Sequence, residues 1–201
     1  MADARSPRSV SDDEEAIERL VRLLEIAGVP YMVAGSIASS HHGLPRATND
    51  ADVVIDPTPE ALDRLLTALA AEGYYADAGV ARDALRARRQ FNAIDPQTAF
   101  KIDLIIRKDR PFSVEEFGRR EARPLAGAVV AMARAEDVIL SKLEWAKKAG
   151  GSQRQLEDAA GVLRISGDRL DRDYIERWAA VLGVVDLWQA LTRGEPGGPA
   201  G

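Results

Sequence analysis

The chain has 201 residues, of which 46% are hydrophobic, so one domain or two small ones can bury a core, and this composition excludes disorder for most of the chain. The absence of cysteine excludes disulfides, thiolate nucleophiles and cysteine-containing zinc sites, and the only histidines are His41 and His42. A metal ion would therefore be bound mainly by carboxylates. The net charge of -5 argues against a surface that binds nucleic acid throughout, although it leaves room for local basic patches.

No run of about 18 uncharged apolar residues occurs, and the polar N-terminal stretch lacks the apolar segment of a secretory signal. We therefore expect a cytoplasmic protein without a membrane span. Residues 1–10 and the Gly- and Pro-rich segment 194–201 are expected to be disordered.

The first half of the chain alternates predicted helices and strands. Apolar residues recur at helical spacing between the capping pair Ser11 and Glu14 and the terminating Gly28, which indicates a first helix. The apolar run 31–34 leads straight into Gly35 and Ser36 and predicts a strand, a tight turn and a short helix. The remaining predictions of this half are a strand at 51–55, helices at 59–73 and 80–88, and strands at 90–94 and 99–106.

The second half is predicted to be mainly helical. Ser113 and Glu116 have the spacing of a helix cap, and segment 128–132 has the composition of a further strand. From Glu136 to Thr192 the apolar residues recur at helical spacing. The sequence thus predicts a sheet of at least four strands followed by a helical module.

Three aspartates lie in or next to predicted strands. Asp50 and Asp52 are two residues apart at the entry to a strand, so both carboxylates project from the same face. Asp103 lies inside an apolar strand and shares one face with Lys101. If the two strands are neighbours, three carboxylates converge on one spot, which suits Mg²⁺ or Mn²⁺. The alternative for the Asp50 pair is turn chemistry, in which the acids only cap a loop.

The ordered set of motifs resembles the nucleotidyltransferase superfamily, which has the polymerase-beta-like fold. The matching segments are Val33-Ala34-Gly35-Ser36, Asp50-Ala51-Asp52-Val53-Val54 and Lys101-Ile102-Asp103-Leu104. Segment 43–50 looks like the Gly-x-x-Arg-x-Thr-x-Asp form of the abortive-infection and toxin-antitoxin branch, the AbiEii-like minimal nucleotidyltransferases. This resemblance covers residues 31–106, is reinforced by the helical stretch 136–143, and includes all three acids.

The resemblance implies an α/β (α+β) nucleotidyltransferase fold, with a mixed sheet flanked by helices over 11–132 and a C-terminal helical module over 133–193. It implies Mg²⁺-dependent transfer of a nucleoside monophosphate from a nucleoside triphosphate to a hydroxyl of tRNA or protein, with Mn²⁺ as an alternative ion. The enzyme would then be the toxin of a pair with a cognate antitoxin. The alternatives are transfer to a small molecule, as in aminoglycoside-modifying relatives, a non-catalytic nucleotide-binding or partner module, and a structural protein whose carboxylates only cap turns.

The resemblance also implies a role for each motif residue. Asp50 and Asp52 would hold the metals that bridge the nucleotide phosphates, and Asp103 would hold the catalytic metal and help deprotonate the acceptor hydroxyl. Gly35 would let the backbone approach the triphosphate closely, while Ser36 and the amides that open the short helix would bind its oxygens.

Four further residues have two interpretations each. Arg46 either pairs with a phosphate or lies on the loop surface, and Thr48 either orients Asp50 or caps the turn. Lys142 lies partly on the apolar stripe of its helix, so it either extends out to solvent or contacts the nucleotide, which the resemblance favours. Asp158 either orients this lysine or belongs to a solvated helix face.

Other polar and aromatic residues favour structural interpretations. His41 and His42 are expected to make surface or loop contacts, because no further histidine has ligand spacing. The tryptophans are expected in the core of the helical module and are Trp145, Trp178 and Trp188. The strongest basic patches, either a solvated face or contacts for RNA phosphates, are Arg82, Arg86, Arg88 and Arg89, and Arg107, Lys108 and Arg110.

Overall fold

The computed structural model describes residues 10–45, 48, 50–95, 97–125 and 127–194. In chain order its elements are α1 (Val10–Ala27), β1 (Tyr31–Val33), α2 (Gly35–His42), β2 (Asp50–Ile55), α3 (Pro59–Ala71), α4 (Ala78–Ala87), β3 (Gln90–Ile94), β4 (Lys101–Ile106), α5 (Pro111–Arg119), β5 (Glu121–Leu125), β6 (Ala128–Met132), α6 (Ala135–Lys148), α7 (Gln153–Ser166), a 3-10 turn (Gly167–Arg169), α8 (Arg172–Leu182) and α9 (Val185–Arg193). None of these helices is long and apolar enough to cross a membrane. The ends that were predicted to be disordered lie almost entirely outside the described residues.

The strands form one mixed sheet in the order β3-β4-β2-β1-β6-β5, which confirms the predicted α/β class. Strand β5 was not predicted, because its sequence EARPL contains Pro124, which cannot donate a ladder hydrogen bond. This strand lies at an edge of the sheet, where proline is tolerated. Helix α5 begins at Pro111, the position that proline favours, and not at the predicted cap Ser113.

The chain divides into two compact units. The first unit comprises Met1–Tyr31, Ala47–Arg107 and Ala122–Val130, and the second comprises Met32–Arg46, Lys108–Glu121 and Ala131–Gly201. Compactness does not decide which segments fold on their own. The predicted division into a core at 11–132 and a helical module at 133–193 therefore stays a prediction.

In the first unit, β2 pairs in parallel with β4, and β3 pairs antiparallel with β4. Alternate residues of these strands form one apolar face, and each of them is at most 2% exposed: Ala51, Val53, Ile55, Phe91, Ala93, Ile102, Leu104 and Ile106. Helices α1 and α3 pack against each other, and the apolar stripe of each helix is buried. Each large side chain buried in this way contributes about 1.5–3 kcal/mol.

The turn between β3 and β4 is organised by the fully buried Asp95. Its carboxylate accepts hydrogen bonds from Arg19 at 2.5 Å, from the Tyr74 hydroxyl at 3.3 Å, and from the backbone amides of Gln97 and Thr98 at 2.7 and 3.3 Å. Burial raises the pKa of Asp95, but the hydrogen bonds from Arg19 and the two amides outweigh it and hold that pKa below its usual value. The charged form of Asp95 therefore stabilises the first unit.

Replacing Asp95 by asparagine should lower the free energy of unfolding by about 2–3 kcal/mol, because the change leaves Arg19 without its partner. A carboxyl with a depressed folded pKa stabilises above its unfolded pKa of about 3.9 and loses this contribution as the pH falls through the folded pKa. Urea unfolding should therefore show a constant gap between wild type and Asp95→Asn from pH 8 to about pH 5, and a shrinking gap in stronger acid.

Asp83→Asn is the matched control, because Asp83 pairs with Arg86 at the surface and both side chains are more than two-thirds exposed. This variant should unfold at nearly the wild-type urea concentration. The assignment of Asp95 as a stabilising buried charge is wrong if Asp95→Asn loses no more stability than Asp83→Asn does.

In the second unit, α6 packs against α7, and α2 packs against both of them. Helix α8 packs on α6, and α9 packs on α8. The short parallel pair of β1 and β6 places Val33 opposite Met132, and the Ala133 amide donates to the Val33 carbonyl at 3.0 Å. Gly43 follows α2 and passes so close to the backbone of α7 that a Cβ there would lie 2.7 Å from the Val162 nitrogen.

Acidic side chains of α5 and α6 form a polar network inside this unit. Fully buried Asp137 accepts hydrogen bonds from the Tyr174 hydroxyl and from Arg119. Glu116 accepts a hydrogen bond from the Ser141 hydroxyl at 3.1 Å. Burial, followed by the negative charge of Asp137, raises the pKa of Glu116 to about 7. Glu116 is therefore protonated in the folded protein at mildly acidic pH.

A glutamate whose folded pKa lies above its unfolded pKa of about 4.3 binds more protons in the folded state, so folding loses stability as the pH rises between these two values. Glu116→Gln should match the wild type near pH 4.5 and be more stable at pH 8, by on the order of 2 kcal/mol. Urea unfolding of both proteins at several pH values measures this difference.

The neighbouring Glu115, which pairs with Arg177 at the surface, provides the control. Glu115→Gln should not gain stability relative to the wild type with rising pH. Parallel pH profiles for wild type and Glu116→Gln would contradict the raised pKa.

Candidate active site

The three predicted acids lie on one face of β2 and β4 in the first unit. The two strands are neighbours, with Asp52 opposite Asp103 and Asp50 opposite Lys101 in the parallel register. Because Ala51, Val53 and Ile55 and their partners on β4 point to the buried face, the alternating charged residues share the opposite face. Directly opposed residues on paired strands have Cβ atoms about 4.5–5.5 Å apart, so these carboxylates are close together.

Lys101 is the cation of this charged face. Its ammonium donates a hydrogen bond to Asp103 Oδ2 at 3.1 Å and lies 2.8 Å from Oδ1 as an ion pair. The Oδ1 atom is buried and accepts no aligned hydrogen bond. The hydrogen bond to Asp103 raises the pKa of Lys101, and the charges of Asp103, Asp50 and Asp52 add to the effect. The ammonium therefore responds to all three carboxylates.

Thr48 orients the first of the acids. Its hydroxyl lies 3.0 Å from Asp50 Oδ1 and 3.0 Å from the Asp50 carbonyl oxygen, and it can donate to either. The contact with Oδ1 fits the interpretation that Thr48 orients Asp50, and the contact with the carbonyl oxygen fits the interpretation that Thr48 caps the turn. Arg46, the other predicted residue of this loop, lies outside the described residues.

Three carboxylates are the oxygen ligands that Mg²⁺ and Mn²⁺ prefer, and the buried Asp103 Oδ1 atom accepts no aligned hydrogen bond, although the Lys101 ammonium lies 2.8 Å from it. The chemistry of these acids therefore suits a hard divalent ion. Their arrangement does not yet form a site for one, because no three carboxylate or imidazole side chains in the described part of the chain are grouped so that they could hold a metal ion. The Lys101 ammonium pairs with Asp103 instead.

The second unit carries the predicted glycine and serine. Gly35 opens α2 with a φ of 57°, in the left-handed region where a side chain would be strained, and Ser36 follows it as a buried residue. The N-cap residue of this helix is Ala34, which makes no side-chain cap hydrogen bond. The start of a helix is a site for phosphate oxygens in many proteins.

Lys142 of α6 is buried and forms an ion pair of 2.7 Å with Asp158 of α7. Both side chains are less than 10% exposed, so Asp158 orients the lysine and does not belong to a solvated face. The predicted contact of Lys142 with a nucleotide stays a prediction, because its ammonium is committed to this carboxylate.

The predictions for the histidines and the tryptophans are only partly confirmed. His42 is buried, and its Nε2 atom lies 2.8 Å from the Ala133 carbonyl, which confirms a loop contact. Trp178 and Trp188 lie in the core, but Trp145 is 55% exposed, and its predicted burial is wrong because the core stripe of α6 passes through its neighbours Leu143 and Ala146.

The predicted basic patches are largely neutralised by acidic neighbours. At least five of their seven members form ion pairs: Arg82 with Asp63, Arg86 with Asp83, Arg88 and Arg107 with Asp56, and Arg110 with Glu144. A guanidinium that is paired with a carboxylate attracts a phosphate less strongly. These patches therefore favour the interpretation as a solvated face.

No protein-family model and no curated protein matches the sequence. Solved structures are similar over nearly the whole chain. A nucleotidyltransferase-like antigenic protein from Paracoccidioides brasiliensis has a TM-score of 0.61 at 16% identity, covering 93% of this chain and 95% of that one. The solution structure of the antibiotic-resistance factor ANT(2'')-Ia has a TM-score of 0.59 at 13% identity, covering 92% and 98%.

This chain has the nucleotidyltransferase fold. A crystal structure of ANT(2'')-Ia in complex with adenylyl-2''-tobramycin agrees, with a TM-score of 0.57 at 15% identity over 86% of this chain and 97% of that one. At such low identity the similarity establishes the fold alone, because one fold can host unrelated activities. The expected abortive-infection branch stays a prediction.

Within the nucleotidyltransferase fold, sequence reasoning missed one polar residue next to the acids. Asn92 of β3 lies opposite Asp103 in the antiparallel register and is exposed. Gln90, two residues earlier, is also exposed but lies opposite Ile105. The alternation of these polar residues with Phe91 and Ala93 was a visible signal of a polar face. Only the pairing with β4 places that face beside Asp103.

The buried pair of Lys142 and Asp158 yields a test of its structural role. Lys142→Met should lower the free energy of unfolding by about 3 kcal/mol, because Asp158 is left buried without its cation. The double variant Lys142→Met/Asp158→Leu should recover most of this loss, since it removes both charges together. Urea unfolding of the wild type, both single variants and the double variant measures the coupling.

Lys147→Met serves as the control, since the ammonium of Lys147 donates to the Gly183 carbonyl at an exposed position of the same helix. It should change stability far less than Lys142→Met does. A double variant that is as unstable as the sum of the single variants would contradict a direct charge pair.

Proposed function

We propose that this protein is a metal-dependent nucleotidyltransferase, which transfers a nucleoside monophosphate from a nucleoside triphosphate to a hydroxyl and releases pyrophosphate. The observation that carries the proposal is the register of Asp52 opposite Asp103 on neighbouring parallel strands of a chain with the nucleotidyltransferase fold. Asp50 adds a third carboxylate to the same face. A purely structural role of these strands would not require three acids on one face, since like charges repel each other there.

Asp50, Asp52 and Asp103 are the residues that would hold Mg²⁺ or Mn²⁺ in this proposal. When bound, such ions neutralise phosphate charge and align the groups that react. Thr48 fixes the orientation of the Asp50 carboxylate through its hydroxyl. Asp103 would have a second role, because a carboxylate can accept the proton of the acceptor hydroxyl.

The triphosphate would be bound by residues that present amides and cations. The amides at the start of α2, after Gly35, and the Ser36 hydroxyl are suited to its oxygens. Arg46 and Lys142 would supply positive charge, which for Lys142 requires that its ammonium shift from Asp158 towards a phosphate.

The transfer itself is a displacement at the α-phosphorus. The acceptor oxygen forms a bond to that phosphorus, and the bond from the phosphorus to the bridging oxygen of pyrophosphate breaks. The proton of the acceptor hydroxyl passes to Asp103, and pyrophosphate leaves with the electron pair of the broken bond.

The acceptor we propose is a hydroxyl of RNA, with tRNA as the first candidate and protein as an alternative. Arg164, Arg169 and Arg172 of the second unit line a cavity of about 500 Å³. None of the three forms an ion pair with an acidic residue in the described part of the chain, so they are available to phosphates. If transfer of a nucleotide to tRNA blocked translation, the enzyme would act as a toxin, with a cognate antitoxin as partner.

A small-molecule acceptor is the second candidate. It is supported by the similarity to ANT(2'')-Ia, which spans nearly the full length of both chains and includes a structure with adenylyl-2''-tobramycin. The net charge of -5 is compatible with a polycationic acceptor of this type.

Pyrophosphate release from each of the four ribonucleoside triphosphates, with Mg²⁺ and either total tRNA or tobramycin, tests the proposal and separates the two acceptors. Asp52→Asn and Asp103→Asn should each lower the rate by about 1,000-fold or more, because each removes a ligand and a negative charge. Asp63→Asn, which changes an exposed aspartate of the same unit, should keep the wild-type rate.

Three other results have a clear meaning. Nucleotide binding without pyrophosphate release under any acceptor condition would support the non-catalytic alternative. Growth arrest on expression of the wild type but not of Asp52→Asn would support the toxin role. Full activity of Asp103→Asn would exclude the mechanism.

A further inference from the structure

The charged face of the first unit contains one positive group that the nucleotidyltransferase motif does not include. Lys101 lies two residues before Asp103 on β4, so both side chains project from the same face of the strand. Its ammonium is within 3.1 Å of both carboxylate oxygens of Asp103. The register also sets it opposite Asp50.

Three carboxylates on one face repel each other unless a cation lies among them. Lys101 is the cation that the described residues of this face supply. It pairs with a carboxylate that would help to hold a divalent ion, so the ammonium and the ion would compete for Asp103.

The two partners differ in their freedom to move. The Asp103 side chain is 11% exposed and is held by the buried strand, whereas the Lys101 side chain is 44% exposed. A long, half-exposed lysine can swing into solvent at little cost, while the aspartate cannot leave the site.

We propose that Lys101 is the resident counter-ion of the acidic cluster and competes with the divalent ion for Asp103. This inference rests on the metal site of the proposed function. In the metal-free protein the ammonium offsets the repulsion between Asp50, Asp52 and Asp103. When an ion binds, the ammonium leaves Asp103, and the ion takes over the role of counter-charge.

The competition makes an unusual prediction, because removing a lysine from a binding site should strengthen the binding of a ligand there. Lys101→Met should bind Mn²⁺ about tenfold more tightly than the wild type, as measured by the loss of the free Mn²⁺ signal in electron paramagnetic resonance. Lys101→Arg keeps the charge and should bind no more tightly than the wild type.

Thermal unfolding gives a second measurement that does not depend on activity. Without metal, Lys101→Met should melt at a lower temperature than the wild type, because Asp103 has lost its ion pair and the acidic face has lost one positive charge. Mn²⁺ should raise the melting temperature of Lys101→Met more than that of the wild type, since tighter binding to the folded state gives a larger shift.

Lys148→Met is the matched control. Lys148 is 48% exposed and pairs with Glu144 at 2.7 Å, so its replacement removes the same charge from a similar ion pair in the second unit. Mn²⁺ affinity should stay at the wild-type value. A gain in Lys148→Met as large as in Lys101→Met would show an effect of net charge alone and would overturn the proposal.

Asp103→Asn distinguishes failure of this inference from failure of the proposed function. If the wild type binds Mn²⁺, Asp103→Asn loses it, and Lys101→Met binds equally or more weakly than the wild type, the metal site stands and the competition is wrong. If neither the wild type nor Lys101→Met binds Mn²⁺, the competition and the metal site are both wrong.

Discussion

The parallel register between β2 and β4 is the constraint on which the candidate active site depends. Val53 and Ile55 on β2, with Leu104 and Ile106 on β4, are buried on one face, and a slip of one residue would drive Asp52 or Asp103 into that core. Burial of the apolar face therefore fixes the position of the acids on the other face. The buried Asp95 closes the turn that delivers β4 into this register.

Lys101 and Lys142 are both held by carboxylates. Lys101 pairs with Asp103 on a half-exposed strand face, and Lys142 pairs with Asp158 between two helices. A buried pair is expensive to break, whereas a half-exposed one exchanges at little cost. The two units thus hold cations of different availability. Lys101 can yield to a competing ion, while a shift of Lys142 towards a phosphate would need a strong anionic ligand to offset the loss.

The fold narrows the chemistry but does not choose the acceptor. The acids would act on the triphosphate of any nucleotidyl transfer, whereas an acceptor contacts other surfaces. The arginine runs around 82–89 and 107–110, which looked suited to RNA, are mostly paired with aspartate or glutamate. The arginines of the 164–172 segment, which no motif singled out, have no such partners among the described residues. Charge availability is a property of the neighbours, and runs of basic residues do not reveal it.

The sequence by itself determined the elements and the acids. The spacing of Asp50 and Asp52 and the apolar alternation around Asp103 were sufficient to place three carboxylates on strand faces, because side-chain direction in a strand has a period of two. The sequence did not determine which distant segments pair with each other. Tertiary structure decided the contacts of Asp103 with Lys101 and its position opposite Asn92. It also decided the pairing of the arginines with acids, the exposure of Trp145 and the formation of edge strand β5. Each of these features depends on which segments pack against each other, and the local periodicity of the sequence does not determine that packing.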